Sequence, residues 1–169
     1  RLNLFLRSLP GQKILDIGCG PGHDTDYFTQ KGFYSLGIDS SDNMISYAAQ
    51  NQRGKFRQVD FLKPKFAKSS YDGIWFSAAL MHVPRSRIPN LLRNFHNILR
   101  PRGMLGIITQ RHRNSQELTE NIRKYGFFTT LYKYELESYI QKAGFVNKYS
   151  EIFSYGERKW LFTLSKKAS

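Results

Sequence analysis

Cysteine is nearly missing from this chain. Cys19 is the only one in 169 residues, which rules out an internal disulfide and suits a reducing, cytoplasmic setting. No Cys/His cluster has zinc-ligand spacing, so no metal is expected. Long apolar runs are missing too. No stretch approaches the roughly 18 apolar residues of a membrane span, and the first residues do not read as a signal peptide. There is no internal repeat, low-complexity tract or linker, and the length suits one domain over residues 1–169. An initiating methionine is also absent. The chain opens at Arg1, close to its first predicted strand, so an N-terminal part is expected to be missing.

Acid is scarce. Lys and Arg number 26 against 13 Asp and Glu. All seven Asp fall within residues 16–72, all six Glu lie at 117 or later, and residues 73–116 hold seven Arg and no acid. A solvated basic face is the plain reading. The sharper one is attraction of an anionic substrate, a nucleic acid or an acidic membrane surface.

What is present centres on ILDIGCGPGHD, residues 14–24. An apolar run, Ile14 to Ile17, reads as a buried strand ending in a glycine turn. Gly18, Gly20 and Gly22 let the backbone turn tightly and approach a ligand. A helix from about Asp24 follows, with Phe28 on its inner face. A strand, a glycine loop and a helix N-terminus make a nucleotide-type pocket. Its glycine spacing departs from a dinucleotide fingerprint, because His23 stands where GxGxxG needs glycine. Asp16 would also repel a pyrophosphate at that mouth, whereas a cationic ligand would be welcome there. S-adenosylmethionine carries an ammonium and a sulfonium, so methyl transfer is the leading reading and a NAD-type enzyme is disfavoured.

The remaining pattern alternates. A short helix over residues 2–9 is ended by Pro10-Gly11. Strands are expected at 13–17, 34–39, 56–59, 71–76 and 104–109. Helices are expected at 24–30, 42–51, 87–99 and 134–143, stopping at Gly32 and Gly144 where glycine follows the last turn. Arg100 to Gly103 reads as a turn and Gln116 to Lys124 as a possible short helix. Residues 145–153 and 159–165 form a hairpin through Tyr155-Gly156. Five strands alternating with helices, then a hairpin, imply an α/β three-layer sandwich: a parallel sheet covered on both faces, with one antiparallel strand at the end. Ligands on such sheets bind at the carboxyl ends of the strands.

At those ends the sequence resembles the class I S-adenosylmethionine-dependent methyltransferases, of the small-molecule type with a compact core. The likeness covers nearly the whole chain, through ILDIGCGPG, GIDSSDNM, FRQVDFL, YDGIWFSAALMHVP, ILRPRGML and YELESYIQKAGF in that order. It implies a Rossmann-like sheet of seven strands with the last antiparallel. It also implies S-adenosylmethionine as cofactor, S-adenosylhomocysteine as product, and roles by position. Asp16 meets the methionine part of the cofactor, and the backbone of Gly18, Cys19 and Gly20 passes beneath it. Asp39 accepts both ribose hydroxyls, with Ser40 as neighbour. Met44 lies on the adenine face. Asp60 accepts from the adenine amino group, with Phe61 beside the ring, and Ser77 and Ala78 lie under the sulfonium.

Plainer readings stand beside these. Asp39 could cap the next helix, Met44 could be core, and Asp60 could be a turn acid. Asp24 and Asp26 suit a helix dipole and read as structural. Cys19 has no basic residue or partner thiol beside it in sequence and is there for its size. For a general base the candidate is His82, just beyond strand four, since imidazole titrates near neutrality; shaping the loop is its other reading. His96 sits within a predicted helix, with no chemistry expected. His112, with Arg111 and Arg113, could contact an acidic acceptor or be solvated surface.

The acceptor is expected to be a small molecule, anionic or aromatic. Tyr125, Phe127, Phe128, Leu131, Tyr132 and Tyr134 could form a lid over it or a satellite core. No Asn/Asp-Pro-Pro-Tyr/Phe motif ends strand four, which argues against methylation of exocyclic base nitrogens without excluding RNA. An RNA acceptor and an inactive partner subunit are the rivals. Monomer and homodimer are equally compatible with the sequence.

Overall fold

The computed structural model describes residues 1–63, 65–111 and 128–168. In chain order the elements are α1 (Leu2–Ser8), β1 (Lys13–Ile17), α2 (His23–Gln30), β2 (Tyr34–Asp39), α3 (Asp42–Asn51), β3 (Lys55–Gln58) and β4 (Tyr71–Ser77). Then come 3-10 turns at Leu80–His82 and Arg85–Arg87, α4 (Ile88–Ile98), β5 (Leu99–Gln110), α5 (Lys133–Lys142), β6 (Phe145–Tyr155) and β7 (Arg158–Lys167). The seven strands form one sheet in the order β3-β2-β1-β4-β5-β7-β6. β1 to β5 run parallel, and β7 inserts antiparallel between β5 and β6. This is the expected Rossmann-like sheet.

The two faces follow from strand periodicity, since alternate residues of a strand face opposite sides. Leu15, Ile17, Ile74, Phe76, Leu105 and Ile107 share one core with Leu91, Leu92 and Phe95 of α4 and with Leu136 and Ile140 of α5. Ile14, Trp75, Met104, Phe162 and Leu164 share the other with Phe5 of α1 and Phe28 of α2. Phe5 lies 5.0 Å from Trp75 and 5.8 Å from Phe28, ring centre to ring centre, so α1 packs over β4 and β5, in the middle of the sheet, beside α2. Removing rings buried this fully costs about 3–5 kcal/mol each. Because β1 and β4 are covered on both faces, they read as apolar runs.

Glycine follows α2 and α5 at the expected stops, Gly32 with φ +86° and Gly144 with φ +93°. Some boundaries differ from expectation. Leu99, taken as the last apolar contact of α4, is the first residue of β5 and pairs with Tyr71, while Gly73 pairs with Met104. The Arg100–Gly103 turn is therefore an outward bulge within β5, with Arg102 at φ +67°. It lets Arg100 reach back to the buried Asp72 carboxylate, 3.1 Å away. The C-terminal strands also run further than expected, and Tyr155 pairs with Arg158 instead of lying in the turn. The expected helix at 116–124 lies outside the described residues. No helix among the described residues is long and apolar enough to cross a membrane.

Candidate active site

The glycine loop after β1 is tied to β2 from the start. Cys19 N donates to Ile38 O at 3.0 Å, and Gly22 N closes a turn on Cys19 O at 3.0 Å. Gly18 adopts φ +67°, and a Cβ built there would stand 2.5 Å from Ala79 Cβ. Only glycine lets this loop pass against the loop that follows β4. A Cβ on Gly20, at φ +51°, would meet nothing within 4 Å. The loop backbone thus borders open space at the carboxyl ends of the strands.

Asp39 organises that edge. Its Oδ2 accepts from Gly20 N at 3.0 Å and its Oδ1 from Ser41 N at 2.9 Å. The N-cap of α3 is Ser41, whose Oγ accepts from Met44 N at 3.4 Å. Asp39 therefore supports the helix start and the glycine loop together. Each carboxylate oxygen has a second lone pair, which leaves capacity for two hydroxyl donors.

Asp16, near the end of β1, is 2% exposed. Thr25 Oγ1, in the first turn of α2, donates to its Oδ2 at 2.6 Å. Burial, then the charges of Asp24 and Asp39, push its carboxyl up to about 8, against the lowering hydrogen bonds from Thr25. Burial also raises Asp24, whose Oδ2 accepts from Trp75 Nε1 at 2.7 Å. Asp16, Asp24 and Asp39 thus converge, and among the described residues none of them forms an ion pair. Burial, then the charges of Asp16 and Asp39, raise the Cys19 thiol as well, which disfavours a thiolate there. A cation is what this cluster lacks.

The other expected residues line the same rim. Ser40 is exposed, and its carbonyl accepts from Gln58 Nε2 at 3.1 Å. Met44 is 44% exposed, so it is not core. Asp60 is exposed, and its Oδ1 accepts from Leu62 N at 3.0 Å, a turn bond that occupies one oxygen. Phe61 packs edge-on against Phe76, 5.9 Å between ring centres. Ser77 ends β4, and Ala78 follows at φ +53° with its N–H on Ile108 O at 2.9 Å. A left-handed alanine costs on the order of 1 kcal/mol, and this one stands where the cleft and the β4 loop meet.

His82 is exposed on the Leu80–His82 turn, edge-on to Phe128 at 6.0 Å. That turn is laced to residues 129–130. Thr129 N donates to Met81 O at 2.9 Å, Thr129 Oγ1 to Val83 O at 2.7 Å, and Arg85 to Thr130 O at 3.0 Å. Of the expected aromatic group, Phe128 and Leu131 are buried, while Tyr132 and Tyr134 stack in the open at 5.6 Å. Tyr125, Phe127, His112 and Arg113 lie outside the described residues. Arg111 is half-buried, with its N–H on Lys159 O at 3.0 Å.

Sequence reading missed Thr25 and the electrostatic part of Asp24. The Thr25 hydroxyl nine residues after Asp16 was the available signal, since the first turn of α2 folds straight back over the end of β1.

Residues 14–103, more than half of the chain, match the family model described as a methyltransferase domain. The chain belongs to the class I S-adenosylmethionine-dependent methyltransferases. Phosphoethanolamine N-methyltransferase 1 of Arabidopsis thaliana is 30% identical over 155 residues, 84% of this chain and 30% of that protein. Phosphoethanolamine N-methyltransferase 2 of Caenorhabditis elegans is 28% identical over 153 residues, 84% of this chain and 34% of that protein. The chain thus spans about a third of these two relatives. A methyltransferase of Methanosarcina mazei superposes with a TM-score of 0.84 at 17% identity, covering 98% of this chain and 97% of that one. A Haemonchus contortus phosphoethanolamine N-methyltransferase, solved with phosphomonomethylethanolamine and S-adenosylhomocysteine, gives 0.83 at 18% identity, covering 99% of this chain and 52% of that one. These two likenesses establish the fold.

Proposed function

We propose that residues 1–169 act as one domain that binds S-adenosylmethionine at the carboxyl ends of β1 to β4. Its methyl group goes to an O, N or C nucleophile of a small-molecule acceptor, and S-adenosylhomocysteine is released. The observation that carries this reading is the cluster of Asp16, Asp24 and Asp39 at the glycine loop, with no ion-pair partner among the described residues. A cationic ligand suits the cluster, and a diphosphate does not.

The bound cofactor supplies a methyl carbon already activated by a sulfonium. The chain's part is to hold, align and exclude water. Asp16, with Thr25 fixing its orientation, pairs with the ammonium side of the ligand. The Gly18–Gly20 backbone leaves room beneath it. Asp39 accepts the ribose hydroxyls, with Ser40 beside it. Met44 and Phe61 flank the adenine, and Asp60 Oδ2 accepts from its amino group. Ser77 and Ala78 border the reacting carbon. One imidazole nitrogen of His82 takes the acceptor's proton when the acceptor still carries one at working pH.

For the acceptor, the excess of 26 Lys and Arg over 13 Asp and Glu favours an anion. The phosphoethanolamine N-methyltransferases among the relatives support a small phosphorylated amine as the first to try. The single thiol suits a cytoplasmic setting. The deciding experiment measures S-adenosylhomocysteine release against phosphoethanolamine, neutral amines, aromatic phenols and RNA. Turnover of the phosphorylated amine is expected. Salt-sensitive turnover of RNA would move the acceptor to nucleic acid. No cofactor binding at millimolar concentration would remove the reading.

A further inference from the structure

The opposite end of the same strands holds a cavity of about 630 Å³, a size that suits a small molecule. Its origin is the shortness of β3. That strand begins at Lys55 opposite Leu36, so Tyr34 and Ser35 of β2 have no β3 neighbour. On the other side of the opening, residues 66–70 return to start β4 at Tyr71. Phe33, Tyr34, Phe66 and Tyr71 give the cavity aromatic walls, and Tyr34 is left 70% exposed.

The charge around it has one sign. Lys13 and Lys55 line the cavity, and no acidic residue does. Arg57 adds a third cation, its guanidinium 4.9 Å from the centre of the Phe66 ring. Asp72, beside Tyr71, is already engaged by Arg100 at 3.1 Å and by Lys13 N at 2.9 Å. Ser35 also lines the cavity. It is 7% exposed, and its hydroxyl has no hydrogen-bond partner among the described residues.

We propose that this cavity is a second binding site, separate from the cofactor cleft, for a small aromatic carboxylic acid. The aromatic walls take the ring, and Lys13 and Lys55 take the carboxylate. The pairing of an apolar body with a single anionic group follows from walls that combine aromatic rings with cations of one sign. Nothing in the proposal depends on methyl transfer, so it stands or falls apart from the reading of the other end.

The test uses the whole chain with saturating S-adenosylhomocysteine, and 2-naphthoate, 2-naphthamide and 2-naphthylmethylamine as probes. Ligand-observed NMR and calorimetry should show naphthoate bound with Kd on the order of 1 mM or tighter. The amide and the amine should bind at least about fivefold more weakly. The double substitution Lys13→Glu and Lys55→Glu should weaken naphthoate about tenfold or more. Ala67→Trp, which fills the cavity from its exposed rim, should block it. Thermal melting reports whether each variant is folded. Three results would overturn the proposal: no naphthoate binding, equal binding of the amide, or binding that persists in both folded variants. Displacement of naphthoate by S-adenosylhomocysteine would overturn it too, by placing the probe in the other cleft.

Discussion

The strands of this sheet carry opposite chemistry at their two ends. β1 runs from Lys13 to Asp16 and Ile17, β2 from Tyr34 to Asp39, and β3 from Lys55 toward Asp60. The carboxyl ends gather acids and a glycine loop. The amino ends gather lysines and aromatic rings. A parallel sheet delivers the last residues of every strand to one edge, and this sequence places Asp16, Asp39 and Asp60 there, whereas Asp72, the acid at the amino edge, is buried and engaged by Arg100. A cationic ligand is drawn to one edge and an anionic one to the other. The predictions below test the chemistry of the carboxyl edge, twice against a matched change at the amino edge.

The largest effect is expected at the β4 loop. If His82 takes the acceptor's proton, His82→Ala lowers kcat by about 10²-fold or more, with cofactor affinity changed less than about twofold. Stopped turnover and calorimetry on the same preparation separate the two. Unchanged kcat would reduce His82 to a packing partner of Phe128.

Next comes Asp39. Its carboxylate holds Gly20 N and Ser41 N and is proposed to hold the ribose, so Asp39→Ala should weaken S-adenosylhomocysteine about 10–100-fold, at roughly 1.5–3 kcal/mol for charged hydrogen bonds. Lys31→Ala, an exposed change at the C-cap of α2, just before β2 begins at the amino edge of the sheet, should leave that affinity within about twofold. Equal losses in both would erase the contrast between the edges.

The third prediction is a pH profile. Burial and its acidic neighbours raise Asp16 to about 8 in the free protein, well above the range of an unfolded chain. A folded-state value above the unfolded one means that the native protein holds a proton the unfolded chain has released. Its contribution to stability is therefore full below about pH 4 and is lost as pH rises through about 8. A cation at Asp16 favours the carboxylate, so cofactor binding releases that proton below pH 8. Affinity for S-adenosylmethionine should rise by up to about tenfold per pH unit from 6 toward 8. From about pH 7 the ligand's own amine, near 7.7–8.0 for an α-amino group, is also losing its charge, which flattens the limb as it approaches 8. Calorimetry in buffers of different ionisation enthalpy counts the protons. Asp16→Asn should flatten the rising limb, and a limb that survives it belongs to another group.

Legibility in the sequence followed the same division. The carboxyl edge could be read because its demands are local. A glycine that must pass Ala79, an acid ending β1 and an acid ending β2 each leave a mark within a few residues. The sheet could be read because β4 is apolar from Gly73 to Phe76 and the elements alternate. What escaped depends on non-local pairing. Leu99 belongs to β5 only because Tyr71 pairs with it. The amino-edge cavity arises from where β3 begins opposite β2, and no short motif records that.

The smallest effects compare two buried hydroxyls near one helix–sheet contact. Thr25 Oγ1 donates to the Asp16 carboxyl at 2.6 Å. Ser35 Oγ is buried with no partner among the described residues. Thr25→Val should cost about 1–3 kcal/mol, because it strips a bond from a buried carboxyl and leaves that group short of a donor. Ser35→Ala removes a hydroxyl that gains nothing from burial, so it should be neutral or stabilising by up to about 1 kcal/mol. Urea denaturation at one pH measures both. Opposite signs are expected from two changes that each remove a single hydroxyl. A loss at Ser35 as large as at Thr25 would mean that its hydroxyl is already engaged in the free protein, which would remove one support for a ligand at the amino edge.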